Sequence, residues 1–176
     1  IQVDSLPNSK YLMSWDFSNW IPVGNNPPND IVNSLIVYQD KLFAGGRFNS
    51  IDGNAFSRIA CWNDSAWSAV GTGIQGDVYS MAVYNNELYV GGYFSSAGGV
   101  DALCIARWDG SQWYSVGVGL SDMVWCLYVD TIENVLYAGG AFNYSADNSD
   151  TLLVNHIAKW NGVKWDTVGC GTSSDV

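Results

Sequence analysis

Short runs of alternating apolar and polar residues, broken every few positions by glycine or asparagine, fill the chain; they predict strands joined by tight turns. The clearest set lies in residues 72–117. Residues 78–84 predict a first strand and Asn85-Asn86 a hairpin turn, because asparagine tolerates the left-handed conformations such turns need. Residues 87–94 predict a second strand, and a polar, glycine-bearing loop over 95–102 leads to a third at 103–108. Asp109-Gly110 is a type I′ hairpin dipeptide, and 111–116 makes the fourth strand. The plan repeats at 32–38, 41–48, 57–62 and 66–70, and again at 124–129, 135–142, 156–160 and 164–168. No segment sustains apolar spacing at three and four residues, and glycine-punctuated Val, Ile, Tyr and Trp runs make poor helices.

The strands belong to a repeat. Trp62-Asn63-Asp64-Ser65-Ala66-Trp67 returns as Trp108-Asp109-Gly110-Ser111-Gln112-Trp113 and as Trp160-Asn161-Gly162-Val163-Lys164-Trp165, each followed shortly by Val-Gly. A degenerate copy runs from Trp15 to Gly24. The second tryptophans lie 47, 46 and 52 residues apart, a period that points to stacked supersecondary units. The expected architecture is all-β, with propeller blades of four antiparallel strands. Residues 1–24 give the outer half of a blade, 25–71, 72–117 and 118–169 give three blades, and 170–176 begin another. About three and a half blades leave sheet faces open, so the expectation is a piece of a larger ring, or an arc closed by pairing its own ends or with a second chain.

Composition narrows the classes. Seventeen acidic against seven basic residues give a net charge of −10 and no basic stripe, which argues against nucleic-acid backbones and anionic membranes. A hydrophobic content of 48% is too high for a disordered acidic tail. No apolar run approaches the roughly 20 residues that span a bilayer. Low charge with abundant glycine and tryptophan suggests an extracellular or surface-displayed protein. Cys61, Cys104, Cys126 and Cys170 lack metal-ligand spacing. Four cysteines permit three disulfide pairings, among which sequence does not choose; the first three fall in predicted strands, which favours buried free thiols.

Leu88-Tyr89-Val90-Gly91-Gly92, with Trp113 in the fourth strand, resembles the kelch repeat, whose second strand closes on a Gly-Gly doublet. The doublet recurs as Gly45-Gly46 and Gly139-Gly140. The longer pattern, through Ile105-Ala106-Arg107-Trp108-Asp109-Gly110-Ser111-Gln112-Trp113 to Val116-Gly117-Val118-Gly119, is similar to kelch-like blades of large Bacteroidetes-type proteins exported by type IX secretion. Blades of fungal cortical cell-polarity marker proteins are also similar. The resemblance implies a display or binding scaffold.

The doublets and the tryptophans Trp62, Trp67, Trp108, Trp113, Trp160 and Trp165 read as structural, since no helix follows the glycines to make a phosphate loop and a propeller buries both faces of a blade. The lone His156, aligned with Arg58 and Cys104, cannot build a histidine-rich metal centre. Asn63-Asp64-Ser65 and Asn143-Tyr144-Ser145 match the glycosylation acceptor pattern, a short pattern common by chance. Candidate ligand-binding residues are the loop side chains Asp52, Asn54, Asp101, Asp147 and Asp150. Asp147 and Asp150 are the place where calcium would bind, although no calcium-loop pattern is met; otherwise no cofactor is expected. The leading reading is a non-enzymatic binding or adhesion module whose variable loops at 49–56, 95–102 and 143–155 meet a glycan or surface protein. The alternatives are part of a carbohydrate-active hydrolase or lyase whose active site lies elsewhere, and a structural spacer.

Overall fold

A computed structural model describes residues 12–145 and 152–174. The structure is all-β, and no helix occurs among the described residues. A first hairpin pairs β1 (Met13–Trp15) with β2 (Trp20–Pro22). Unit one follows with β3 (Val32–Tyr38), β4 (Lys41–Gly46), β5 (Ser50–Ile51), β6 (Asn54–Ala55), β7 (Ile59–Trp62) and β8 (Trp67–Ala69). Unit two contains β9 (Ile74–Tyr84), β10 (Glu87–Ala97), β11 (Val100–Asp101), β12 (Ile105–Trp108) and β13 (Trp113–Ser115). Unit three contains β14 (Val124–Asp130), β15 (Val135–Gly140), β16 (Tyr144–Ser145), β17 (Leu152–Leu153), β18 (Ile157–Trp160) and β19 (Trp165–Thr167). Each unit is one antiparallel meander, in the orders β3-β4-β7-β8, β9-β10-β12-β13 and β14-β15-β18-β19.

Three differences from the sequence reading have local causes. The loops between second and third strands are themselves small hairpins: β5 with β6, the end of β10 with β11, and β16 with β17. In unit two this carries β9 and β10 beyond their predicted ends, from Ile74 and to Ala97. The third strand begins at Ile105, later than predicted, because Cys104 sits in the left-handed region at φ 60°. The turn after Trp108 spans four residues and is not the expected two-residue type I′ turn, since Trp108 pairs directly with Trp113. The Asp109 carboxylate closes it, accepting the N–H groups of Ser111 at 2.7 Å and Gln112 at 2.8 Å. Asn63 and Asn161 do the same in their units, and Asp16 does so in the first hairpin. This Asx turn is why every copy carries Asp or Asn directly after its first tryptophan.

These bonds, led by those from Gln112 and Ser111, hold the Asp109 carboxyl at about 2. An unfolded aspartate titrates near about 3.9. The turn's contribution is therefore present above about pH 4 and is lost as pH falls toward about 2. Asp109→Asn keeps the acceptor and removes the proton. Thermal melts should show it close to the parent at pH 7 and less acid-sensitive between about pH 4 and pH 2; equal acid sensitivity would contradict this role.

The core lies between units. One buried cluster joins Tyr38, Phe43 and Ile59 of unit one to Val78, Met81 and Trp113 of unit two. A second joins Tyr84, Tyr89 and Ile105 to Val124, Leu136 and Trp165. A third packs Leu12 and Val23 on Phe48, Ile51 and Trp67. The sheets of units one and two therefore bury both faces against their neighbours, whereas unit three is packed on the side of unit two alone, and the repeat length reflects one sheet plus one crossing.

Candidate functional site

The junctions between units reuse the same parts. Each hairpin stacks its two tryptophans: Trp62 with Trp67, Trp108 with Trp113 and Trp160 with Trp165, with ring centroids 5.5, 5.3 and 5.4 Å apart. The second tryptophan reaches back to the preceding unit. Trp113 Nε1 donates to the Val70 carbonyl at 3.0 Å and Trp165 Nε1 to the Val116 carbonyl at 3.2 Å. Trp67 departs from this: its buried indole N–H finds no acceptor among the described residues. Two further bonds recur. Ser34 Oγ accepts the Met81 N–H, and Ser80 Oγ accepts the Leu127 N–H. Tyr38 donates its hydroxyl to the Asn86 carbonyl, and Tyr84 donates to that of Asn134.

The Gly-Gly doublets serve two different approaches. A Cβ on Gly45 or Gly91 would stand 2.6 Å from Val78 or Val124 of the next unit. A Cβ on Gly46, Gly92 or Gly140 would stand 2.0–2.1 Å from a carbonyl oxygen in or directly before its own unit's first strand, that of Ile31, Asp77 or Met123. The first glycine of a doublet thus serves contact between units, and the second is needed inside the sheet. The tryptophans and doublets thus belong to the scaffold, and a binding site has to be sought elsewhere.

The loop hairpins and the crossings between units share one end of the molecule. The Ile74 N–H donates to the Ser57 carbonyl and the Gly98 N–H to that of Gly73, so the 71–76 crossing is held between the loops of units one and two. Leu120 and Ser121 likewise bind the carbonyls of Leu103 and Tyr144. Gly73 makes this possible: its φ is +83°, and a Cβ would lie 2.6 Å from the Ser57 carbonyl oxygen. Two grooves flank the crossing and share Gln75 and Gly76. The first, about 410 Å³, lies toward Asn49, Arg58 and Ser96. The second, about 490 Å³, lies toward Tyr93, Leu103, Ser121 and Asp122.

A polar cluster stands beside them. Arg47 Nε lies 3.4 Å and Arg58 Nε 3.9 Å from the Asp77 carboxylate, so two cations of unit one meet one anion of unit two. Arg58 also donates to the Arg47 carbonyl. Desolvation, and then the Asp77 charge, push the Tyr79 hydroxyl pKa up, and burial raises the Cys104 thiol. Both groups are therefore neutral at pH 7.

Of the predicted site residues, the three that are described, Asp52, Asn54 and Asp101, line neither groove. Asp52 serves the fold, its carboxylate accepting the N–H groups of Asn25 and Asn26. Asn54 donates its amide to the Asp52 carbonyl at the exposed hairpin tip, and Asp101 pairs with Ser96 on the outer face of β11. Asp147 and Asp150 lie outside the described residues. Among the described residues no three His, Cys, Asp or Glu side chains group as metal ligands. The cysteine expectation also needs correction. All four are free thiols and Cys61 and Cys104 are buried, but Cys104 precedes β12 and Cys126 is exposed on β14. Cys126 occupies the position of Ser34 and Ser80, which in units one and two is covered by the next unit.

A signal for the grooves was present in the alignment of the repeats. Arg58, Cys104 and His156 are equivalent, and all three adopt left-handed backbone at φ 66°, 60° and 71°. Their N–H groups donate to Phe48, Phe94 and Phe142, and their carbonyls accept from Gly46, Gly92 and Gly140. Bonds on both sides hold a conformation that costs a non-glycine residue about 1–2 kcal/mol. The repeat thus keeps a side chain where glycine would be easier and varies its chemistry. The aligned Arg47, Tyr93 and Ala141, each directly after a doublet, vary likewise. Comparison with family models and with curated proteins gives no match.

Proposed function

We propose that the chain is an arc of kelch-like propeller blades acting as a non-enzymatic, extracellular binding or adhesion module. The observation that carries this reading is the separation of constant and variable residues. The Trp pairs, doublets, Asx turns and Val-Gly crossings recur from unit to unit and are consumed in building each sheet and joining it to the next. The residues that change type between copies, Arg58/Cys104/His156 and Arg47/Tyr93/Ala141, collect at the loop end, where two grooves open. A scaffold that keeps its packing and varies one end suits recognition.

The ends of the array support a larger assembly. The Trp15–Trp20 pair has the stacked geometry of the others, at 5.3 Å, yet is half exposed. Leu35 and Val37 on β3, and Trp125 and Tyr128 on β14, are also exposed. Gly169 stands where Gly71 and Gly117 meet the next unit's tryptophans, and nothing approaches it within 4 Å. In this reading further blades, of the same polypeptide or a second chain, cover these faces, and a glycan or surface protein meets the loop end.

A glycan array combined with pull-down of candidate surface proteins tests the reading. Capture should fall on Arg58→Ala, at the loop end, and be unaffected by Asn161→Asp, at the opposite hairpin turns. Hydrolysis of a polysaccharide with no stable capture would overturn it.

A further inference from the structure

We propose that the groove between units two and three binds a short neutral saccharide, with the Tyr93 ring as stacking platform and the Asp122 carboxylate as a hydroxyl acceptor. This rests on the binding-module reading and names the ligand class. Its volume of about 490 Å³ lies within the range of small-molecule sites. Tyr93 is 54% exposed and Leu103 46% exposed, so an aromatic and an aliphatic side chain line the same groove. Around them stand oxygen-bearing side chains: Gln75, Ser95, Ser121 and Asp122. A sugar matches both, because its C–H face packs on an aromatic ring while its hydroxyls donate to acceptors.

Charge selects within that class. Asp77, also at the groove, is offset by Arg47 and Arg58. Asp122 makes no ion pair among the described residues and accepts only its neighbour's N–H, from Met123, leaving acceptor capacity. An organic cation meets two arginines beside the groove, and an anionic polymer meets a chain of net charge −10. A neutral polyhydroxylated ligand avoids both penalties.

The groove is built before any ligand arrives. Tyr93 is held in β10 opposite Asp77, and the Leu120 N–H donates to the Leu103 carbonyl at 3.0 Å. Gly119 sets the spacing of the two walls, since a Cβ there would lie 2.5 Å from that same carbonyl oxygen. A rigid platform reduces the ordering cost of a weak ligand. Tyr93 also stands at a position occupied by Arg47 in unit one and Ala141 in unit three, so the aromatic face belongs to this groove and not to the repeat.

Calorimetric titration of the 176-residue chain with cellobiose, maltose and lactose tests the proposal. At least one should bind saturably. Tyr93→Ala should weaken it about tenfold, the order expected for a lost ring contact. Tyr93→Phe should retain most of the affinity, Asp122→Asn should lose several-fold, and Tyr128→Ala, remote on β14, should change nothing. Binding indifferent to Tyr93→Ala, or failure of all three disaccharides, would overturn the saccharide site. Capture of a protein ligand at the loop end in that case would leave the module reading standing; absence of both would remove it too.

Discussion

Trp113→Ala is expected to cost about 3–5 kcal/mol of folding stability, as large aromatic truncations in cores do. Trp20→Ala should cost only about 1 kcal/mol, the worth of its one aromatic stack. The two residues occupy the same place in the repeat, each second in its hairpin and each stacked at 5.3 Å on its partner. Their surroundings differ. Trp113 is 4% exposed, packed beside Gly71, and donates its N–H to Val70. Trp20 is 50% exposed. Removing Trp113 empties a junction and strands the indole's former acceptor, whereas removing Trp20 strips a surface pair. Denaturant unfolding of both variants checks this. Equal losses would mean that the hairpin, and not the junction between units, stores the tryptophan energy.

The second large effect concerns a glycine with ordinary backbone angles. Gly92→Ala should destabilise by about 3 kcal/mol, the upper part of the range for overpacking. Its added Cβ would lie 2.0 Å from the Asp77 carbonyl oxygen and 3.0 Å from Val78 Cα. Those are backbone atoms of β9, paired with β10 at this position, so relief requires breaking the ladder. Gly53→Ala is the control. Nothing lies within 4 Å of its Cβ position, and only its φ of +76° resists, at about 1 kcal/mol. Thermal melts of the two variants should separate clearly. A Gly53→Ala loss as large as that of Gly92→Ala would show conformation, and not close approach, to be the constraint.

Both predictions show where sequence reasoning stops. The strand plan was legible because alternation and turn residues are local signals. Asn85 and Asn86 take φ of 49° and 60°, as their turn requires. Asp109-Gly110 misled, because the dipeptide carries the same letters in a two-residue turn and in an Asx-closed four-residue loop. Only the Trp108–Trp113 pairing tells them apart. The role of Asp52 was illegible for a related reason. Asp52 sits in a loop and looks free, yet backbone from residues 25 and 26 folds over it. Its partners are 27 and 26 positions away, beyond any local pattern.

From its order of residues alone the chain determined an all-β repeat, its period, and the residues reserved for packing. These follow from side-chain periodicity and turn chemistry, which act over a few positions and recur with each copy. Tertiary structure alone decided which copies of a motif are buried, which glycine of a doublet faces a neighbour, and that Tyr93, Leu103 and Asp122 share a groove. Such outcomes depend on surfaces brought together from separate units. Identical motifs acquire different energies and roles there, according to whether another sheet lies against them.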